Sequence, residues 1–96
     1  MKKAKLEWSS SGKRSIQRIY RYLAQYSRAQ ASHIVRKIRQ SMARIQDYPQ
    51  IGRTVDGMSL EYREYIVSGY LILYRYDGDR VLILGIRSQR ETSYYK

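Results

Sequence analysis

The spacing of apolar residues changes period at Pro49, the only proline, and this switch constrains the fold more than any other feature. Before it, Ile16, Ile19, Tyr20 and Leu23 recur at helical spacing, with Tyr26 the next position of the stripe and Lys13, Arg14, Arg18 and Arg21 on the opposite side. A longer stripe of the same kind follows in Ala31, Ile34, Val35, Ile38, Met42 and Ile45. Such stripes mark the buried faces of amphipathic helices. Ser9-Ser10-Ser11-Gly12 and Ser27 offer hydroxyls as N-caps. The reading is two helices, over about 11–26 and 28–47, joined tightly as an antiparallel hairpin. Proline ends the second one, because it cannot continue a helix.

Beyond the proline the period is two. Residues 53–60 read as a loop, and strands are expected over about 61–67, 70–76 and 80–87, which are rich in Tyr, Ile, Val and Leu. Residues 3–8 alternate in the same way and predict a further, half-buried strand ahead of the helices. Asp77-Gly78 and Ser68-Gly69 sit between strands and signal two-residue hairpin turns. These turns predict a register: Val67 opposite Tyr70, Tyr65 opposite Ile72, Arg63 opposite Tyr74, then Tyr74 opposite Val81 and Ile72 opposite Ile83. In it Leu71, Leu73, Leu82, Leu84, Ile86 and Ile66 share the face expected to bury against the hairpin. Arg63, Tyr65, Tyr70, Ile72, Tyr74, Tyr76, Ile83 and Arg87 share the face expected to stay open. A slip of one residue exchanges the two faces. The class is α+β: an N-terminal strand, a helical hairpin, then a three-stranded antiparallel meander, in a single domain over residues 1–96.

Charge narrows the function. The net formal charge is +11. Residues 1–50 carry twelve basic and two acidic side chains, and residues 51–96 carry seven and six, so the field belongs to the first half. A field of that size calls for an anionic partner: a nucleic acid, an acidic protein segment or a membrane surface. With no cysteine there is no disulfide or thiolate metal site, and one histidine, His33, leaves no metal-ligand cluster. No cofactor is expected. No apolar run has the length of a membrane span and Met1-Lys2-Lys3 leads into no signal-peptide segment, so a cytoplasmic protein without a membrane partner is expected.

The order of short motifs resembles the ParE/RelE superfamily of bacterial type II toxins. They run Trp8-Ser9, a helix pair, Tyr48-Pro49-Gln50-Ile51-Gly52-Arg53, Tyr62-Arg63-Glu64, Gly69-Tyr70-Leu71-Ile72-Leu73-Tyr74-Arg75, and Val81 to Arg87 with Arg90-Glu91 after it. The resemblance covers about Leu6 to Glu91. It implies a curved antiparallel sheet packed on two helices, and a toxin held by a cognate antitoxin through an acidic or amphipathic segment. RelE-like members cut messenger RNA on the ribosome; ParE-like members are reported as inhibitors of DNA gyrase. RelE-like members usually carry an Arg after the Tyr of the Gly-Tyr strand, where this chain has Leu71, and a His, Arg or Tyr cluster after the last strand, where it has Arg87-Ser88-Gln89-Arg90 and lacks the His. The chain therefore resembles the ParE branch, with plasmid stabilisation and growth inhibition as the implied roles.

Cleaving RNA through a ribose hydroxyl needs a base, an acid and cations for the phosphorane charge. The candidates in that reading are Arg63, Arg87, Arg90 and Tyr94. In the predicted register Arg63 and Arg87 lie six residues apart, roughly 20 Å at ~3.3 Å per residue, too far to hold one phosphate. The candidates for contact with a target or partner are Arg63, Tyr65, Tyr70, Tyr74, Arg87 and Arg90. The tyrosines read first as strand formers and as a landing surface for a partner's helix or strand. Arg75 and Arg80 read as cross-strand neighbours answered by Asp77 and Asp79, His33 as a surface or helix-packing residue, and Trp8 as core. Three functions from different classes follow: a gyrase-blocking toxin, a ribosome-dependent endoribonuclease, and a non-toxic basic binding module.

Overall fold

A computed structural model describes residues 3–90 of the chain. Strand β1 (Lys5–Trp8) leads into helices α1 (Ser10–Ala24) and α2 (Arg28–Asp47), and strands β2 (Arg53–Thr54), β3 (Tyr62–Val67), β4 (Tyr70–Tyr76) and β5 (Arg80–Ser88) follow. The strands form one sheet in the order β1-β5-β4-β3-β2. β1 runs parallel to β5, and the other pairs are antiparallel. The α+β architecture of a helical hairpin on a curved sheet is the expected one. β2 lies inside the stretch expected as loop; at two residues it is too short to show a period.

Both helices start where serine supplies a cap. The Ser9 hydroxyl accepts the Gly12 N–H at 3.0 Å, and that of Ser27 accepts the Gln30 N–H at 3.1 Å. α1 stops before Tyr26, because the Tyr26 and Ser27 N–H groups both turn back to the Leu23 carbonyl. Gly12 lets α1 lie directly on β5: a Cβ there would stand 2.5 Å from the Ile83 carbonyl oxygen.

The β3–β4 turn sets the predicted register, with Val67 opposite Tyr70, Tyr65 opposite Ile72 and Arg63 opposite Tyr74. Ser68 and Gly69 both have positive φ, 51° and 82°, as a two-residue hairpin turn demands. The β4–β5 register differs from the prediction. Tyr76 faces Val81 and Tyr74 faces Ile83, because Asp77 builds a longer turn. Its carboxylate accepts the N–H groups of Asp79 and Arg80 at 3.0 and 2.9 Å, which also holds its pKa below the ordinary value. The ladder then shifts between Leu73 and Tyr74: Leu73 faces Gly85, and Leu84 is the extra residue of a bulge. Past the bulge the alternation of β5 is reversed.

These shifts decide what lies beneath the helices, and the expected faces are exchanged. Ile72, Tyr74, Val81, Ile83 and Ile86 join Ile16, Ile19, Ile38, Met42 and Ile45 in the core, with Tyr65, Tyr70 and Tyr76 half-buried against it. The tyrosine face is therefore the inner one. Ile86 belongs to it because the bulge turns that residue inward. The face carrying Leu71, Leu73, Glu64 and Arg87 looks away from the hairpin. β1 helps fix this choice, since Leu6 and Trp8, which pack against the core, pair with Val81 and Ile83.

Candidate functional site

The outer face of the sheet is built on β2, β3, β4 and β5. Its centre is apolar: Leu71 and Leu73 sit on the central strand, with Ile66 and Arg87 beside Leu71 and Glu64 and Gly85 beside Leu73. Glu64 is the unexpected member. Its side chain keeps only 8% of its exposure, and a carboxylate buried to that degree needs partners. Arg53 supplies one, paired across β2–β3 and reaching the carboxylate at 3.2 Å. Arg87 approaches it from β5 at 3.8 Å, with its own side chain 16% exposed. One largely buried carboxylate thus stands between two guanidinium groups on the outer face.

The remaining sheet arginines are answered one by one. Arg75 meets Glu61 and Arg80 meets Glu7, each at 2.8 Å. Arg75 and Arg80, expected opposite each other and answered by Asp77 and Asp79, are not directly paired, because Arg75 faces Leu82. The arrangement is a face whose central leucines are buried, 3% and 5% exposed, and whose rim carries ion pairs.

Several predicted site residues lie elsewhere. Arg63 is on the inner face, at its edge, where it donates to the carbonyl oxygens of Gln50 and Gly52 at 3.1 and 2.7 Å. Tyr74, expected on an open face, has no exposed surface. Its hydroxyl donates to the Pro49 carbonyl at 2.8 Å and accepts the Gly52 N–H at 3.0 Å. Arg63 and Tyr74 together tie the turn after α2 to the sheet. Burial is the main reason the Tyr74 phenol titrates above its ordinary pKa. Arg63 and Arg87, expected far apart on one face, lie on opposite faces.

Tyr65 and Tyr70 pack half-buried against the core. Tyr70 and Arg90 line a hollow of about 900 Å³ between the hairpin tip and the β3–β4 turn, with Arg18, Tyr22 and Leu23. Tyr94 lies outside the described residues. His33 is exposed on α2. Among the described residues no cluster fits a metal ion, and no helix is long and apolar enough to cross a membrane. Reading by residue type missed Arg53 and Glu64. The available signal was a carboxylate in the middle of a strand that, Arg63 aside, is aromatic and apolar.

The comparisons with known proteins agree with this fold. The family model for the ParE toxin of type II toxin-antitoxin systems, parDE, matches residues 6–92. A chain of the chromosomal ParDE toxin-antitoxin system from P. aeruginosa superposes with a TM-score of 0.72 at 18% identity, covering 88% of this chain and 95% of that one. A chain of the toxin-antitoxin complex RelBE2 from Mycobacterium tuberculosis gives 0.70 at 13% identity, covering 90% and 98%. No curated protein matches the sequence.

Proposed function

The chain belongs to the ParE toxin family of type II toxin-antitoxin systems, and we propose that it stops growth by binding and blocking DNA gyrase in the cytoplasm, until a cognate antitoxin neutralises it. The observation that carries the binding mode is Glu64. A nuclease site needs cations available to the developing phosphorane charge. Here Arg53 and Arg87, on the outer face of the sheet, already share a buried carboxylate. An outer face with its charges matched and Ile66 exposed beside them favours docking on a protein, where apolar contact gives affinity and the ion-paired rim gives register. Arg87, Arg90 and Tyr70 are the contact residues we assign to the target or the antitoxin; gyrase itself comes from the family resemblance. The antitoxin is proposed by analogy with the P. aeruginosa and M. tuberculosis systems, whose structures are toxin-antitoxin assemblies.

The test is a supercoiling assay with purified gyrase, relaxed plasmid and the purified chain. The expected result is loss of supercoiling in excess toxin, restored by the antitoxin. Unaltered supercoiling, together with codon-register cuts in ribosome-bound message, would replace this reading with the endoribonuclease one.

A further inference from the structure

The carboxylates of this molecule are distributed unevenly, and the helical hairpin has almost none. Over residues 10–47 the sequence places nine basic side chains and one acidic one, Asp47. Lys13, Arg14, Arg21, Arg36, Lys37 and Arg44 are all exposed, and among the described residues none of them pairs with a carboxylate. The sheet is the opposite case, since Glu7, Glu61 and Glu64 are each taken up by its own arginines. The net charge of +11 is therefore expressed mainly on the two helices.

We propose that this hairpin surface binds the phosphate backbone of nucleic acid. Seven of the nine cations are arginine, whose planar fork matches phosphate oxygens in pairs. Their spread argues against a single acidic helix as the occupant. Such a helix would lie along the α1–α2 groove, where Arg21, Arg36 and Arg39 stand around Ile16, Tyr20 and Val35. Lys37 and Arg44 fall on the other flank of α2, outside that groove. An extended lattice of phosphates engages both flanks at once. Tyr22 and Tyr26, 59% and 74% exposed and in edge-to-face contact at the hairpin tip, add aromatic surface for sugars or bases. This surface is distinct from the open sheet face, and nothing in its assignment depends on gyrase.

The test is fluorescence anisotropy of a short labelled DNA duplex titrated with the purified chain over a series of salt concentrations. About five phosphate contacts give a log–log salt slope of about −4.5, which is a loss of ~500-fold between about 50 and 200 mM. The double variant Arg21→Gln with Arg36→Gln should reduce the slope by about 2 and weaken binding about tenfold or more at low salt. Arg75→Gln with Arg80→Gln removes the same charge from the sheet and should leave the slope unchanged. Circular dichroism confirms that both variants are folded. Absence of binding at low salt, equal losses in the two double variants, or a poly-glutamate of equal charge bound as tightly as the duplex would each overturn the proposal. Because the mixture contains no gyrase, its failure is separate from failure of the supercoiling assay.

Discussion

Replacing Tyr74 by Phe removes one oxygen and keeps the ring, and so tests whether the phenol anchors the turn after α2. That oxygen accepts the Gly52 N–H at 3.0 Å and donates to the Pro49 carbonyl at 2.8 Å. The first contact is buried, and Tyr74 has no exposed surface through which water could replace the hydroxyl. In the variant the Gly52 N–H is left without its partner, and a buried donor without a partner costs about 1–3 kcal/mol. The Pro49 carbonyl is only partly buried and is rehydrated more easily, so the total expected is about 2 kcal/mol. In a domain of this size that lowers the melting temperature by roughly 8–16 °C. The same group makes a pH prediction. Burial raises the folded-state pKa of Tyr74 above the ordinary 10.0, so the fold favours the neutral phenol. Its contribution is complete below pH 10.0 and is lost as pH rises through the raised folded value. The Phe variant has no such contribution to lose. Thermal melts of the two proteins should therefore differ at neutral pH and converge in alkali, the other tyrosines being common to both. A melting temperature unchanged at neutral pH, or a gap that persists undiminished into alkali, would refute the anchoring role.

Gly12→Ala should destabilise the protein even though Ala favours helix by about 1 kcal/mol, because its Cβ would stand 2.5 Å from the rigid Ile83 carbonyl oxygen. A urea midpoint below that of the parent checks it. Glu64→Gln should cost about 3 kcal/mol, the low end for breaking a buried ion pair, because Gln still accepts a hydrogen bond. Arg53→Ala should cost under about 1 kcal/mol, since its side chain is 61% exposed. Chemical denaturation of the two variants gives the order, and a larger loss in Arg53→Ala would contradict the placement of Glu64.

The contrast between the two hairpin turns shows what local sequence can decide. Ser68-Gly69 has one solution, a pair of left-handed residues, and β3 and β4 align from it without ambiguity. Asp77-Gly78 has a competing one. The Asp77 side chain closes its own turn on Asp79 and Arg80, which moves the pairing two residues along. Leu84 then adds a bulge, for which the nearby Gly85 is a cue of position but not of direction. The exchange of faces has a deeper cause. β4 is apolar on both sides, with Leu71 and Leu73 on one and Ile72 and Tyr74 on the other, and all four are buried. A period of two sorts residues into faces but does not say which face meets the helices.

That choice rests on contacts between distant parts of the chain. Tyr74 can be buried because Pro49 and Gly52 come to its hydroxyl from the end of α2, and the polar atom then costs little inside. β1 adds Leu6 and Trp8 to the same side by pairing with β5. The site follows the same rule. Glu64 acquires meaning only when β2 brings Arg53 and the reversed end of β5 brings Arg87, and without the bulge Arg87 would point to the helices. One extra residue in one strand therefore sets both the composition of the core and the charge balance of the open face. A variant that deletes Leu84 removes the extra residue and closes the ladder as regular alternation, with Ile83 still opposite Tyr74 and Gly85 opposite Leu73, so Ile86 should stay in the core and Arg87 beside Glu64. Cooperative unfolding with the Arg87–Glu64 pair intact is the expected result, and loss of cooperative melting would show that the bulge does more than set which way the end of β5 faces.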